Sequence, residues 1–271
     1  MLSLNPKELE IPQLHRYLLG AIGPRPIAFA STIDENGVAN LSPFSFFNVF
    51  SANPPIMVFS PARSGRTGAT KNTLDNVKNV KEVVINVVNH DIVQQMSLSS
   101  SPYDASIDEF VKAGLTPVKS EIIKPFRVKE SPVQFECKVN EIVELGQGGG
   151  AGNLVICEVV KIHINEAVLD ANGMIDQHKI DLVSRMGGNW YCRADKNSMF
   201  EIEKPITTIG VGVDQLPEEI RNSVVLSGND LGLLGSVEAI PAHEGTTDKH
   251  QEAKDLLAKG KVEEAWKVLL K

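Results

Sequence analysis

A turn signal between two apolar runs constrains this chain more than any other feature of its sequence. Residues 27–33 are largely apolar and end at Asp34-Glu35-Asn36-Gly37, after which a short second run covers 38–41. Asn-Gly in that setting predicts a β-hairpin, because both residues tolerate positive φ. Residues 56–60 follow Pro54-Pro55 as a buried strand, and the β-branched run at 83–88 reads as a central one. Residues 133–145 alternate in part (Val133, Phe135, Cys137, Val139), and 153–164 continue the sheet. Between them lies Gln147-Gly148-Gly149-Gly150-Ala151-Gly152. A phosphate-binding glycine loop opens a helix, whereas this one opens a strand, so it reads as a flexible hairpin tip. Helices are few and brief: 71–79 with Leu74 and Val77 inward, 91–98 with Asp91 as N-cap, and 108–113 closed by Gly114. A polar loop, 99–106, separates the last two. Strands with short turns favour an antiparallel barrel. The strand-helix-strand repeats and G-x-G-x-x-G turn of a doubly wound fold are absent.

The two ends read differently. Residues 1–26 form an entry arm leading into a turn at 20–26, where Pro24 and Pro26 hold Arg25 extended. From Pro205 the texture changes, which divides the chain into a barrel domain, 1–204, and an extension, 205–271. The extension is loop-rich and ends in two helices, the first capped by Thr246-Thr247-Asp248 and the second set off by Gly260. Val262, Ala265, Trp266, Leu269 and Leu270 define one apolar face of the second. That face is expected to pack on the barrel; the alternative is that it clasps a second subunit or covers the mouth of a binding site.

Composition narrows the function. The chain has 271 residues, 42% hydrophobic and 23% charged, with a formal charge of −7 and no basic stripe, which argues against nucleic-acid binding. No apolar run reaches the roughly 18 residues that span a bilayer, and the first residues lack a signal-peptide core; a cytoplasmic location is expected. Cys137, Cys157 and Cys192 show no CxxC spacing and read as unpaired thiols in strands. The six histidines include no HExxH and no i, i+4 pair, so no metal site is expected. Gly-x-Ser-x-Gly is absent, leaving a nucleophile-elbow hydrolase without support.

The chemistry concentrates in residues 25–73. Beyond the 56–60 strand come Arg63, Ser64, Arg66, Thr67, Thr70, Lys71, Asn72 and Thr73, at the start of a helix. Hydroxyls, amides and fixed positive charge at such a place suit an anion, with arginine gripping phosphate bidentately and lysine acting as a point charge. Ser60 at the strand end offers a further hydroxyl. Upstream, Asn40, Leu41, Ser42, Pro43, Ser45, Phe46 and Asn48 make a polar-aromatic segment along which a planar heterocycle can lie, its polar edge bonded by backbone and side-chain groups. Phe44, Phe46 and Phe47 are too close together to share one core. Phosphate at one end and a flat ring at the other suggest a nucleotide-like cofactor.

These residues carry a resemblance. RPIAFAST, NGVANLSPFSFFN, NPPIMVFS and KNT resemble the flavin reductase-like, FMN-binding split-barrel family, as do Asp108-Glu109-Phe110 with Ala113-Gly114-Leu115-Thr116-Pro117, Ser131-Pro132-Val133 with Glu136-Cys137, and Arg185-Met186-Gly187-Gly188-Asn189-Trp190-Tyr191. The resemblance covers residues 12–193. One departure stands out: the family's Lys-Asp-Thr is Lys71-Asn72-Thr73 here, so that carboxylate's role in capping or charge balance has no counterpart. The resemblance implies an antiparallel split β-barrel with FMN held near a homodimer interface, Thr32 beside the flavin, and Trp190 in a closing motif at the flavin or an interface. It implies an FMN-dependent oxidoreductase reduced by NADH, NADPH or another donor, passing electrons to free flavin, iron, oxygen or a partner protein. A non-enzymatic FMN-binding electron carrier and a pyridoxamine-phosphate-oxidase-like enzyme are the alternatives.

Overall fold

The computed structural model describes residues 1–104 and 106–271; of the expected polar loop at 99–106, residue 105 lies outside the described residues. The chain divides into two compact units, Met1–Phe200 and Glu201–Lys271.

In the first unit, helix α1 (Ile11–Ala21) precedes strands β1 (Ala28–Ile33), β2 (Ala39–Phe44), β3 (Phe47–Ala52) and β4 (Pro55–Phe59). Then come α2 (Asn72–Asn79), β5 (Glu82–Asn86), α3 (Val93–Ser99) and α4 (Glu109–Ala113). The short pair β6 (Pro117–Val118) and β7 (Arg127–Val128) leads to the long strands β8 (Val133–Glu144) and β9 (Asn153–Ile164). Helix α5 (Gln177–Ile180), β10 (Val183–Arg185) and β11 (Tyr191–Arg193) complete it.

The main sheet is antiparallel, in the order β2-β1-β5-β8-β9-β4-β3. β2 and β3 are its two ends, yet only Ser45 and Phe46 join them. Three residue steps reach about 11 Å, whereas seven strands laid flat span roughly 29 Å. The sheet therefore curls until its ends meet at a seam, which is the split barrel expected. Pro43 sits in β2, a terminal strand, where its missing N–H breaks no ladder.

The first hairpin forms where expected, with Ala28–Phe44 through Ile33–Ala39 paired. Its turn differs in detail. Gly37 alone takes positive φ, at 86°, and the Asp34 carboxylate accepts from the N–H groups of Asn36 and Val38. Asp91 likewise lies within a short 3-10 turn, His90–Ile92, and does not cap α3. The arm at 1–26 holds a helix, α1, that the turn reading omitted; Pro12 falls in its first turn, where proline costs nothing.

Two apolar cores lie on the faces of the sheet. One gathers Ala28, Ala30, Phe59, Ile85, Cys137 and Cys157 with Leu74 and Val77 of α2. The other gathers Phe29, Leu41, Met96 and Phe110 under α3 and α4. β1 is buried along its whole length because alternate residues enter opposite cores.

The second unit contains α6 (Glu218–Arg221), α7 (Gly228–Leu234), α8 (His250–Leu257) and α9 (Val262–Leu269). Ala265, Trp266 and Leu269 of α9 are buried with Leu216, Ile220, Leu226, Leu234, Ala253 and Leu257. The apolar face of the last helix thus packs in its own unit's core, which corrects the expectation that it packs on the barrel. Lys249 occupies the α8 cap position; Thr247 contributes by accepting from the Lys249 N–H at 3.2 Å.

Candidate functional site

β4 ends at a hollow of about 360 Å³. Ser60 forms one rim and Ser45, Phe46 and Asn48 of the seam another, with Arg25 and Phe50 closing it. Four of the predicted site residues meet here. The Ser60 Oγ accepts from the Asn153 N–H at 3.0 Å, leaving its own proton to donate outward. Phe46 is 41% exposed and packs edge-on against His15 of α1, with centroids 6.5 Å apart. Phe44 turns inward onto Phe59, so the three aromatics do divide between core and surface.

From Ser60 the chain runs through residues 61–71 to α2. No side chain caps α2, and Lys71 stands exposed at its N-cap. Arg66 is exposed as well, and among the described residues neither cation has an ion-pair partner. Arg63 is committed elsewhere. Its guanidinium bonds Glu144 at 3.3 Å, Gln147 at 2.9 Å and the Gly68 carbonyl at 3.4 Å. The glycine-rich tip of the β8–β9 hairpin docks on the same loop: Gly150 N–H donates to the Arg63 carbonyl and Arg63 N–H to that of Ala151. A Cβ at Gly149 would lie 3.0 Å from the Gly65 carbonyl oxygen, so a side chain here would push the Ser64–Gly65 backbone away by a few tenths of an ångström. The tip is tied down, which corrects its reading as a flexible end. Glu144, with Lys78, Gln147 and Arg63 around it, is held down to about 2.

Other predicted residues face inward. The Thr73 hydroxyl donates to Asn40 Oδ1 at 2.8 Å, and Thr32 accepts from Asn76 at 3.1 Å while lying 3.4 Å from the same Asn40 oxygen. Asn40 Nδ2 and the Leu41 N–H both donate to Glu109, at 2.9 and 3.0 Å. Burial pushes the Glu109 carboxyl up, against the pull of these two bonds. Glu109, noted in the sequence only within a motif of the resemblance, and Asn76 were not among the expected site residues. The signal available was an acid set in the apolar stretch after Asp108, itself the cap of α4. The network fixes the first turn of α2 against β2, so Thr32, Asn40 and Thr73 act on the outward-facing groups from behind. Leu41 is a core side chain, Ser42 and Pro43 are half-buried on β2, and Asn72 is half-buried at the first turn of α2. Trp190 is 77% exposed, away from this hollow's lining.

A second buried acid, Glu136, has a structural explanation. It accepts from the N–H groups of Glu121, Ile122 and Ile123 and bonds His163 at 2.7 Å. Burial alone would raise its pKa, but these donors outweigh it and hold it low. His90, Asp91 and Asp181 bring potential ligand atoms within 4.8 Å of one another, but Asp181 is bonded by both arms of Arg193 at 2.7 Å. No helix among the described residues is long and apolar enough to cross a membrane.

Comparison with known proteins bears on the family and the fold. The flavin reductase like domain model matches residues 21–180. The nitrilotriacetate monooxygenase component B of Bacillus cereus is 31% identical, with a TM-score of 0.69, covering 74% of this chain and 98% of its own. The 2-nitrobenzoate 2-nitroreductase of Pseudomonas fluorescens is 25% identical, with a TM-score of 0.68 and coverage of 78% and 100%. A protein with a split barrel domain from Shewanella frigidimarina is 27% identical, with a TM-score of 0.62 and coverage of 73% and 96%. The antiparallel sheet with flanking helices is that of a split barrel, and the chain belongs to the flavin reductase-like family.

Proposed function

We propose that this protein is an FMN-dependent oxidoreductase that takes electrons from NADH, NADPH or another donor and delivers them to an acceptor. One observation carries the reading. The hollow at Ser45 and Ser60 is joined by a single loop, which carries the unpaired Arg66, to an uncapped helix start at the unpaired Lys71. That is the charge and shape distribution of a ring with a phosphate tail. Lys71 and Arg66 are the cations assigned to the phosphate, with the N–H groups of the first turn of α2. Arg63 is given the task of holding the loop through Glu144. Ser45, Asn48 and Ser60 bond the ring's polar edge, and Phe46 shields it from water. The Asn40–Thr73–Glu109 network keeps the helix start aimed. Bound FMN supplies two-electron acceptance and release in one- or two-electron steps. Asn72, neutral where the family carries an acid, adds no charge that would repel a phosphate.

The site is further proposed to operate in a homodimer in the cytoplasm. The support is α1, an amphipathic helix with no buried residue, beside Val49 and Phe50 of β3, exposed by 55% and 68%. The test is an anaerobic visible spectrum of the purified protein during NADH or NADPH addition. Bleaching of a yellow protein supports the reading and names the donor; a protein that takes up no FMN overturns it. Lys71→Ala and Arg66→Ala are each expected to weaken FMN binding at least about tenfold, or ~1.4 kcal/mol. Affinity within about twofold in both would move the phosphate elsewhere.

A further inference from the structure

Ser45 borders two hollows. The second, about 210 Å³, lies on its other side and is lined by Pro43, Ser97, Ser100, Arg185 and Tyr191. The arginines of this unit sort by what neutralises them. Arg63 has Glu144, Arg127 has Glu136 and Arg193 has Asp181. Arg185 has no carboxylate partner among the described residues. Its guanidinium lies over the Tyr191 ring, 4.7 Å from the centroid, and makes one long bond, 3.4 Å, to the Trp190 carbonyl.

Directly behind it is a second cation. Arg25 pairs with Arg185 through reciprocal backbone bonds of 2.9 and 2.8 Å. Its nearly buried guanidinium is held by the carbonyls of Leu19, Ile22 and Met186, and its Nε has no partner. Burial and the charge of Arg185 both depress the Arg25 pKa, as expected of like charges held together. Arg25 itself lines the first hollow, so the wall of the second carries the charge of Arg185, which no carboxylate among the described residues compensates.

The opposite wall offers hydroxyl donors, and the negative end of the helix dipole there is partly screened. It is the end of α3, whose last carbonyls are already used: that of Ser97 accepts from the Ser100 N–H and hydroxyl, that of Leu98 from the Ser101 N–H, that of Met96 from the Ser99 hydroxyl. The hydroxyls of Ser45 and Ser97 have no protein partner among the described residues and remain to donate.

We propose that this hollow binds a small planar carboxylate, with its anionic end on the fork of Arg185 and its other polar edge on Ser45 and Ser97. A guanidinium grips a carboxylate through two parallel bonds. A volume of about 210 Å³ falls below the roughly 300 Å³ at which pockets for drug-sized ligands begin, so it admits a single-ring acid and excludes a dinucleotide. That such an acid sits beside the flavin, as a molecule taking electrons from it, rests on the function proposed above; the carboxylate site itself does not.

The test is calorimetric titration of benzoate, and of its neutral isostere benzamide, into the full-length protein. Benzoate is expected to bind at least about tenfold more tightly than benzamide. Arg185→Met should abolish the difference, Arg185→Lys should restore part of it, and Ser97→Ala should weaken benzoate about threefold. Equal binding of the two probes, no benzoate binding at millimolar concentration, or full benzoate affinity in a folded Arg185→Met variant would each overturn the site. Because the isostere comparison uses the unmodified protein, it decides the matter even where Arg185→Met fails to fold. Benzoate binding that depends on Arg185 in a protein taking up no FMN would leave the site standing and remove the flavin reading.

Discussion

Helices α1 and α9 carry the same kind of pattern, an apolar stripe at helical spacing, and meet opposite ends. α9 buries Ala265, Trp266 and Leu269 almost completely within its own unit, whereas α1 buries nothing and leaves Leu18 exposed by 54% and Ile22, its C-cap, by 65%. Periodicity therefore reports that a face is made to be covered, and is silent on what covers it. For α9 the partner is α7 and α8; for α1 the proposed partner is a second copy of the chain.

The largest effect expected from breaking this contrast is in the second unit. Trp266→Ala should cost about 3–5 kcal/mol, read by urea unfolding. Trp266→Phe should cost clearly less, because the indole Nε1 has no hydrogen-bond partner to lose. Equal losses would mean that the indole is better satisfied than its surroundings indicate. On α1 the signature reverses. Leu18→Asp with Ile22→Asp should change the stability of the single chain by no more than about 0.5 kcal/mol, yet shift the mass in light scattering from two copies to one. A mass unaffected by both substitutions would remove α1 from the interface.

The smallest effect separates burial from charge. The loop over the docked hairpin tip is held in part by Glu144, whose folded-state value of about 2 lies below the ordinary 4.5. A depressed carboxylate stabilises above its unfolded value and loses that contribution as pH falls through its folded one. Thermal stability of the first unit should therefore decline between about pH 4.5 and 2, and less steeply in Glu144→Gln.

Much of the barrel was legible because strands announce themselves through neighbours in sequence: the 27–41 hairpin and the 133–164 hairpin formed where alternation and turn residues put them. What escaped depends on residues far apart. Arg63 and Glu144 are separated by 81 positions and Asn40 and Glu109 by 69, so nothing local marked Arg63 as a loop clamp or Glu109 as the anchor of Asn40. Asn40, Thr32 and Thr73 were picked out as polar residues in the right stretch, but their direction follows from which face of β1, β2 and α2 they occupy. The omission of α1 was local in origin. Pro12 and Gly20 look like helix breakers, yet one lies in the first turn and the other near the last, where each is tolerated.

The seam between β2 and β3 also sets where this protein can breathe. Elsewhere in the sheet each inner strand is locked on both sides, while Ser45 and Phe46 cross a gap where, among the described residues, only the Phe46 carbonyl is held by backbone, by the Ser60 N–H at 2.8 Å. Amide protons along the crossing should exchange with solvent through small local openings rather than by unfolding of the barrel. A ligand in either flanking hollow would slow that exchange at Ser45 and Phe46 while leaving the amides of β5 and β8 unchanged, which makes this two-residue link a built-in reporter of occupancy.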